Sequence, residues 1–210
     1  MIDLISIIDY GAGNLQSVIK AMNYIGSDCI VTSDKETILN SEGAILPGVG
    51  SFGDAMDCLN NSGAAEAVLE YLKTEKPLLG ICLGLQLLFA GSDESPEAKG
   101  LDLLKGSITK IPNDEGKLKI PHMGWNSLNI IRKDGLYKNI EGSPYVYFVH
   151  SYFLKAQQEG IVTAQTTYGT VIDASVNYKN IYATQFHPEK SGKVGLQILN
   201  NFVEICGGKS

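Results

Sequence analysis

One cysteine, Cys82, lies at a predicted strand-to-helix turn, where many enzymes carry a nucleophile. Cys82 lies in the run Gly80-Ile81-Cys82-Leu83-Gly84-Leu85-Gln86, between an apolar segment that predicts a buried strand and a segment that predicts the first turns of a helix. A nucleophile at such a sharp turn faces the substrate, and small glycines beside it leave room for a carbonyl group. The helix N-terminus favours a thiolate and supplies backbone N–H groups for an oxyanion. The run therefore predicts a nucleophile elbow with cysteine in place of serine.

A cysteine nucleophile needs a base or a cation beside it, and the chain has three histidines: His122, His150 and His187. We favour His187, because it follows an apolar strand and Pro188 fixes the backbone after it. Residues i and i+2 of an extended segment point to the same side, so Glu189 can orient the imidazole. Taken alone, the pair is better explained as a strand-end histidine beside a surface glutamate. Beside the Cys82 elbow it predicts a Cys-His-Glu triad, and we expect the other two histidines to be structural or to support the site.

The third feature is the glycine-rich turn Pro47-Gly48-Val49-Gly50-Ser51-Phe52-Gly53. It follows a predicted strand, at the carboxyl end where open α/β sheets bind their ligands. Its backbone N–H groups are candidate oxyanion donors. As an isolated motif it is better explained as an ordinary glycine-rich turn.

The elements that must position these residues alternate between strands and helices in the N-terminal half, which predicts a parallel sheet with right-handed crossovers. Predicted strands are Leu4–Ile8, Cys29–Val31, Gly43–Leu46 and Pro77–Ile81, and predicted helices span about Leu15–Ile25 and Gly63–Thr74. After a polar surface loop at Ser92–Lys99, short alternating segments predict antiparallel strands. These are Ile108–Ile111, Ser127–Ile131, Tyr145–His150, Gly160–Gln165 and Val171–Asn177, followed by a last strand, Ile181–Phe186, and a helix that Ser191 can cap.

We therefore predict an α/β fold: an open, mostly parallel central sheet with flanking helices, and an antiparallel section in the C-terminal half. We found no repeat, linker or low-complexity tract, so we expect one domain over residues 1–210.

Composition narrows the possible functions. The chain has 210 residues, a formal net charge of −6 and 44% hydrophobic residues, and its pI is about 5.1, so a broad polyanion-binding surface is not expected. No apolar run approaches the roughly 20 residues of a membrane span, and the opening Met1-Ile2-Asp3-Leu4 has no basic segment, so we expect a cytoplasmic protein. The four cysteines (Cys29, Cys58, Cys82 and Cys206) show no zinc-ligand spacing. We predict no metal and no cofactor.

The elbow G-x-C-x-G-x-Q, the P-G-V-G turn and the H-P-E pair, in this order, resemble the class I, triad-type glutamine amidotransferases. Nucleophile and base are 187 − 82 = 105 residues apart, which is typical of that family. The resemblance covers essentially the whole chain and implies a flavodoxin-like fold. It implies hydrolysis of glutamine to glutamate and ammonia through a thioester on Cys82, with His187 and Glu189 completing the triad. It also implies an oxyanion site at Val49, Gly50 and Leu83, and a glutamine pocket that includes Gly48, Gln86, Ser151 and Tyr152.

Three further runs narrow the resemblance. Pro121–Asn126 (P-H-M-G-W-N), Tyr147–Tyr152 and Asp9–Asn14 are similar to the glutaminase subunits of imidazole glycerol phosphate synthase. In that family the partner is a TIM-barrel cyclase subunit of histidine biosynthesis, and ammonia passes through its barrel. The resemblance implies a heterodimer interface that includes Asn14, Met123, Gly124, Trp125, Asn126, Tyr147 and Lys190. For Trp125, the chain's only tryptophan, a buried core position is the alternative.

Other functions remain open at this point. A paralogous glutaminase could supply ammonia to a different synthase, such as a surface-sugar amidation enzyme. A non-catalytic module on the same scaffold and a γ-glutamyl peptidase that needs no partner are further alternatives. The presence of Cys82, His187 and Glu189 together argues against the non-catalytic module.

Overall fold

The computed structural model describes residues 4–113, 116 and 118–207. Met1–Asp3, part of the opening segment considered above, lie outside these residues. The strands are β1 (Ile5–Ile8), β2 (Cys29–Thr32), β3 (Gly43–Gly48), β4 (Leu78–Cys82), β5 (Gly106–Lys110), β6 (His122–Ser127), β7 (Asn129–Ile130), β8 (Tyr145–His150), β9 (Tyr152–Ala156), β10 (Val162–Tyr168), β11 (Thr170–Tyr178) and β12 (Ile181–Thr184). The α-helices are α1 (Leu15–Tyr24), α2 (Lys35–Asn40), α3 (Phe52–Asn61), α4 (Ala64–Leu72), α5 (Leu83–Leu87) and α6 (Gly192–Cys206).

The main sheet has eight strands in the order β2-β1-β3-β4-β12-β11-β10-β7. Its first five strands pair in parallel, and β11, β10 and β7 extend it by antiparallel pairing. Two smaller antiparallel sheets, β5–β9 and β6–β8, complete the C-terminal half. The predicted fold class is confirmed: a mostly parallel central sheet with helices and an antiparallel section.

The central strands of the N-terminal half are buried between two layers of helices. Strands β3 and β4 are buried along their whole length, as expected for a parallel sheet that is covered by helices on both faces. One face packs against apolar side chains of α3 and α4, among them Phe52, Leu59, Val68 and Tyr71. The other face packs against α1 and α6, through Val18, Met22, Ile198 and Phe202. Within the described residues, every helix is too short or too polar to cross a membrane.

Several local predictions were incomplete. Helices α2 and α3 were not predicted, although each starts at a side chain that accepts a backbone N–H: Asp34 from Thr37, and Ser51 from Asp54. Strand β6 was also missed, and the predicted strand Ser127–Ile131 is divided between the end of β6 and the short β7.

The predicted cap of the last helix was wrong. Ser191 precedes α6 but makes no capping bond with its side chain. Its hydroxyl instead donates to the carbonyl oxygen of His187 (2.6 Å) and accepts from the backbone N–H of Tyr147 (3.0 Å). The backbone N–H of His187 also donates to the carbonyl oxygen of Tyr147 (3.0 Å). These bonds hold β8 beside the segment that carries the candidate base.

Candidate active site

The strand-to-helix turn at Cys82 is strained at the cysteine itself. Cys82 ends β4, precedes α5 and adopts φ 56° and ψ −108°, a conformation rare for a residue with a side chain. The flanking glycines serve close packing, because a side chain at Gly84 would overlap the carbonyl oxygen of Leu46 in β3. A Cβ at Gly80 would lie 2.9 Å from the carbonyl oxygen of Gly84. The sequence analysis expected these glycines to leave room for a carbonyl group, and in the structure they leave room for neighbouring backbone, whereas the positive φ falls on the candidate nucleophile.

The candidate base and its orienting carboxylate form a buried pair. Nδ1 of His187 lies 2.7 Å from Oε1 of Glu189, and the two side chains are 2% and 1% exposed. The pairing was predicted from an extended segment, but the residues lie on a 3-10 turn, Pro188–Lys190, that follows His187. The turn brings the carboxylate within hydrogen-bonding distance of Nδ1.

Burial alone would lower the pKa of His187, but the Cys82 sulfur and the Glu189 carboxylate outweigh it and raise that pKa to about 10. Nε2 of His187 has no hydrogen-bond partner within the usual distance among the described residues, although the nearby Cys82 sulfur helps to raise its pKa. A histidine cation next to a cysteine favours the thiolate, the nucleophilic form.

A cavity of about 300 Å³ opens in front of the cysteine. Of the predicted site residues, it is lined by Cys82, His187, Val49, Gly50, Leu83, Gln86, Ser151 and Tyr152. Gly48 is not part of this lining. It pairs with Cys82 at the end of β3, where a Cβ would lie 2.8 Å from the backbone nitrogen of Gly84 and 2.9 Å from the Tyr10 hydroxyl. Gly48 therefore lets α5 and the Tyr10 ring approach the floor of the site.

The side chain of Gln86 is held by the protein on one side. Its Nε2 donates to the carbonyl oxygen of Tyr152 (3.1 Å) and to Oε1 of Gln185 (3.0 Å). Among the described residues, no donor forms a hydrogen bond with its Oε1, so this oxygen is a candidate acceptor for a ligand in the cavity.

Glu94 lines the cavity and was not predicted as a site residue. Its Oε2 accepts the backbone N–H of Phe52 (2.8 Å) at the start of α3, where a helix N-terminus stabilises a carboxylate. The sequence analysis placed Glu94 in a polar surface loop. The loop folds over α3, where the backbone N–H of Gly53 also donates to Ser95 (3.1 Å). No local pattern predicts this contact between two distant segments.

The two remaining histidines form a second buried pair. Nδ1 of His122 lies 3.0 Å from Nε2 of His150, and Nδ1 of His150 lies 2.9 Å from the carbonyl oxygen of Tyr152. The His122 ring is stacked between Phe148 and Tyr168, with centroids 4.9 Å and 4.0 Å away. Burial lowers the pKa of each histidine to about 4, so both are neutral at physiological pH. Their placement fits the expected supporting role.

The residues predicted for the partner interface lie on several elements. Met123 and Trp125 are 63% and 54% exposed on β6, which excludes a core position for the tryptophan. The Trp125 ring meets Tyr147 of β8 edge-on, with centroids 6.2 Å apart. Asn126 donates to the carbonyl oxygen of Thr167 (3.0 Å). The other three are Gly124, with φ 139°, Lys190 on the 3-10 turn, and Asn14, which lines a small cavity with His187 and Glu189.

Within the part of the chain that the structure describes, no cluster of three or more histidine, cysteine, aspartate or glutamate residues is arranged to hold a metal ion. The groups present at this site fit nucleophilic attack by a thiolate, proton transfer by a buried histidine and stabilisation of an oxyanion by backbone N–H groups.

Comparison with known proteins agrees with this geometry. The class-I glutamine amidotransferase family model matches residues 6–206. The imidazole glycerol phosphate synthase subunit HisH of Caldanaerobacter subterraneus subsp. tengcongensis is 48% identical over 202 residues, which cover 96% of this chain and 98% of that protein. The subunit of the same name from Geobacillus thermodenitrificans is 46% identical over 209 residues, which cover 98% of both chains.

Solved structures are similar in fold. A PurLQS structure from Thermotoga maritima superposes with a TM-score of 0.76 at 20% identity, over 97% of this chain and 99% of that chain. A glutamine amidotransferase from the same organism superposes with a TM-score of 0.64 at 14% identity, over 95% of this chain and 82% of that chain.

Proposed function

Because this chain belongs to the class I glutamine amidotransferases, and within them to the family of imidazole glycerol phosphate synthase subunit HisH, we propose that it hydrolyses glutamine and delivers the ammonia to a cyclase subunit in histidine biosynthesis. The observation that carries the chemistry is the strained Cys82 in one cavity with His187, whose ring is paired with a buried Glu189. The partner and the pathway are inferred from membership of this subunit family.

In the proposed first half-reaction, the Cys82 thiolate attacks the side-chain amide carbon of glutamine. The C–N bond then breaks, the His187 cation gives its proton to the departing nitrogen, and ammonia leaves a γ-glutamyl thioester on sulfur. A histidine whose pKa is raised to about 10 carries the required proton at neutral pH.

In the second half-reaction, neutral His187 accepts a proton from water, and the resulting hydroxide attacks the thioester carbon. The C–S bond breaks, glutamate leaves, and the thiolate–imidazolium pair is restored. Glu189 holds the ring through Nδ1 and stabilises its positive charge in both steps, which keeps Nε2 directed to the reacting atoms.

The negative oxygen of each tetrahedral intermediate needs donors on the wall of the cavity. We assign them to the backbone N–H groups of Leu83, at the first position of α5, and of Val49 and Gly50, after β3. One such donor is worth roughly 3–4 kcal/mol of transition-state stabilisation.

The amino-acid end of glutamine carries an ammonium group and a carboxylate. Among the described residues that line the cavity, Glu94 is the one with a carboxylate, and the start of α3 holds it in place, so we assign it to the substrate ammonium. The free Oε1 of Gln86 adds an acceptor, and Ser151 and Tyr152 form the opposite wall. Gly48 shapes the floor from beneath.

Ammonia must reach its acceptor before it is protonated and lost to water, so the mouth of the site has to be covered. Exposed Met123 and Trp125, with Tyr147 beside them, form an apolar surface next to Cys82 that we assign to the TIM-barrel cyclase subunit. We assign Gly124, Asn126, Asn14 and Lys190 to the border of this interface. A biosynthetic heterodimer of this kind is proposed to act in the cytoplasm.

The test is glutamine hydrolysis by the chain reconstituted with a cyclase subunit and that subunit's nucleotide ligand. We expect stimulation by the partner and complete loss of glutamate release in Cys82→Ser, while Cys29→Ser on the edge strand β2 keeps full activity. Hydrolysis that survives in Cys82→Ser would refute the assigned nucleophile, and a wild-type chain that no cyclase subunit stimulates would refute the assigned partner.

A further inference from the structure

We propose that Gln185 is a further catalytic residue, whose Nε2 donates a hydrogen bond to the Cys82 sulfur and holds the nucleophile as a thiolate. The inference deepens the proposed glutaminase reaction and rests on it, because it concerns the same sulfur atom.

Gln185 is held rigidly next to the nucleophile. It follows β12, and its backbone N–H donates to the carbonyl oxygen of Ala174 in β11 (2.8 Å). The side chain is fully buried, and its Nε2 lies 3.8 Å from Sγ of Cys82, which is within the longer reach of a hydrogen bond to the large sulfur atom. A buried amide makes a fixed donor, because it has no water to exchange with.

The orientation of the Gln185 amide follows from its neighbours. The carbonyl oxygen of Tyr152 only accepts hydrogen bonds, so the atom of Gln86 that contacts it at 3.1 Å is the NH₂ group. The same NH₂ group lies 3.0 Å from the Gln185 amide, whose contacting atom must therefore be the oxygen. The NH₂ group of Gln185 therefore faces the Cys82 sulfur. The carbonyl oxygen of Tyr152, acting through Gln86, thus determines that Gln185 is the donor.

The histidine pair strengthens this anchor. Nδ1 of His150 also donates to the Tyr152 carbonyl (2.9 Å), so Nε2 of this neutral ring accepts from Nδ1 of His122 (3.0 Å). The Tyr152 carbonyl is thus fixed by two donors, Gln86 and His150. A fixed carbonyl keeps the two glutamine amides in a single arrangement.

The sulfur has different partners in its two states. As a thiol, Cys82 donates to the carbonyl oxygen of Val149 (3.8 Å). Once the proton leaves, that oxygen faces a negative sulfur, and the thiolate needs donors in its place. His187 supplies a charge and Gln185 supplies an N–H. The other titratable groups around the sulfur are Tyr10, His150 and Glu94. Burial raises the pKa of Tyr10 and Cys82 adds to this effect, and His150 and Glu94 line the cavity.

The test compares wild type with Gln185→Met, which keeps the volume of the side chain and removes the donor. We expect the midpoint of Cys82 alkylation by iodoacetamide, followed against pH by peptide mass spectrometry, to move up by about one pH unit. In the complex with the cyclase subunit we expect kcat for glutamine to fall about 10- to 100-fold with KM little changed. Gln197→Met on α6, whose amide donates to Asn201 (2.8 Å), is the matched control.

Gln185→Asn is a second variant in case Gln185→Met does not fold. It keeps a buried amide, but the shorter side chain no longer brings the N–H to the sulfur. Thermal unfolding of each variant is compared first, and a folded Asn variant is expected to show the same two changes. An unchanged alkylation midpoint and unchanged kcat in a folded variant would refute the role of Gln185. A wild-type complex that releases no glutamate would instead refute the proposed function, while the alkylation measurement still reports on Gln185.

Discussion

Cys82 takes on the backbone strain of the elbow, with φ 56°, while the glycines around it allow α5 to pack against β3 and β4. This division of roles is physically reasonable, because a strained nucleophile is held by its surroundings in one position. The buried His187–Glu189 pair then supplies the charge that a thiolate needs. The reactive state of Cys82 thus depends on contacts with residues more than 100 positions away in the chain.

Glu189→Gln is a prediction at this scale. The pKa of His187 is raised to about 10, so the cation is present at neutral pH and is lost as pH rises through that value. Without the carboxylate, one of the two groups that raise this pKa is lost and the pKa falls, so we expect kcat to drop about 10²- to 10⁴-fold. The alkaline limit of activity should also move to lower pH.

The measurement is the pH profile of glutamine hydrolysis by the reconstituted complex. Glu204→Gln, which loses an exposed ion pair with Lys138 (3.4 Å), is the control and should leave the profile unchanged. An alkaline limit that stays in place in Glu189→Gln would contradict the assigned role of the carboxylate.

Among the elements, α5 is short but decides where the site lies. Its first turn approaches β3 so closely that a side chain at Gly84 would overlap the Leu46 carbonyl oxygen. The hydroxyl of Tyr10 donates to the carbonyl oxygen of Pro47 (2.8 Å) and holds the end of β3 against this helix. The residues proposed to bind the oxyanion after β3 and the proposed nucleophile before α5 are therefore positioned by one packed contact.

Gly84→Ala is the prediction for this contact. The added methyl group forces α5 away from β3, and overpacking of this kind costs about 1–3 kcal/mol of unfolding free energy. We expect a loss of that size in urea unfolding, together with a lower rate of glutamine hydrolysis. Gly91→Ala serves as the control, because its nearest neighbour would be a carbonyl oxygen 3.4 Å from the new Cβ. Equal unfolding free energies for the two variants would argue against the close contact.

Strand β6 shows why one element was missed by the sequence analysis. Its His122 is buried, whereas its Met123 and Trp125 are exposed, so the usual rule of apolar side chains inside and polar side chains outside is inverted. A search for apolar strands overlooks such a segment. The inversion fits a strand whose outer face is covered by another protein chain.

For the whole molecule, the arrangement of the sheets brings the apolar surface and the candidate nucleophile Cys82 to the same end. Strands β4 and β12 end beside β8, whose Val149 carbonyl contacts Cys82 and whose Tyr147 contacts Trp125. A partner seated on this surface would cover the mouth of the cavity. The single domain over residues 1–210 stays a prediction.

Trp125→Ala is the prediction at this scale. An exposed tryptophan that anchors an interface contributes about 2 kcal/mol or more to binding, so we expect Kd for the cyclase subunit to rise about 30-fold or more. Unfolding of the isolated chain should be nearly unchanged. Tyr178→Ala is the control, because Tyr178 is 38% exposed and pairs with Ile181 at the start of β12, far from the end of that strand that meets the site. Calorimetric titration with unchanged Kd for Trp125→Ala would exclude this surface as the interface.

The sequence by itself determined the alternation of strands and helices, the fold class and the family, because each depends on local periodicity or on short motifs. The elbow around Cys82 and the H-P-E pair are of this kind. Only the tertiary structure decided that Glu94 enters the cavity, that Ser191 ties His187 to β8 and that Gln185 faces the sulfur. Each of these contacts joins segments that are separated in the chain, or depends on which way a buried side chain turns. Such contacts are set by packing and by the need of buried polar groups for partners, and no local pattern encodes them.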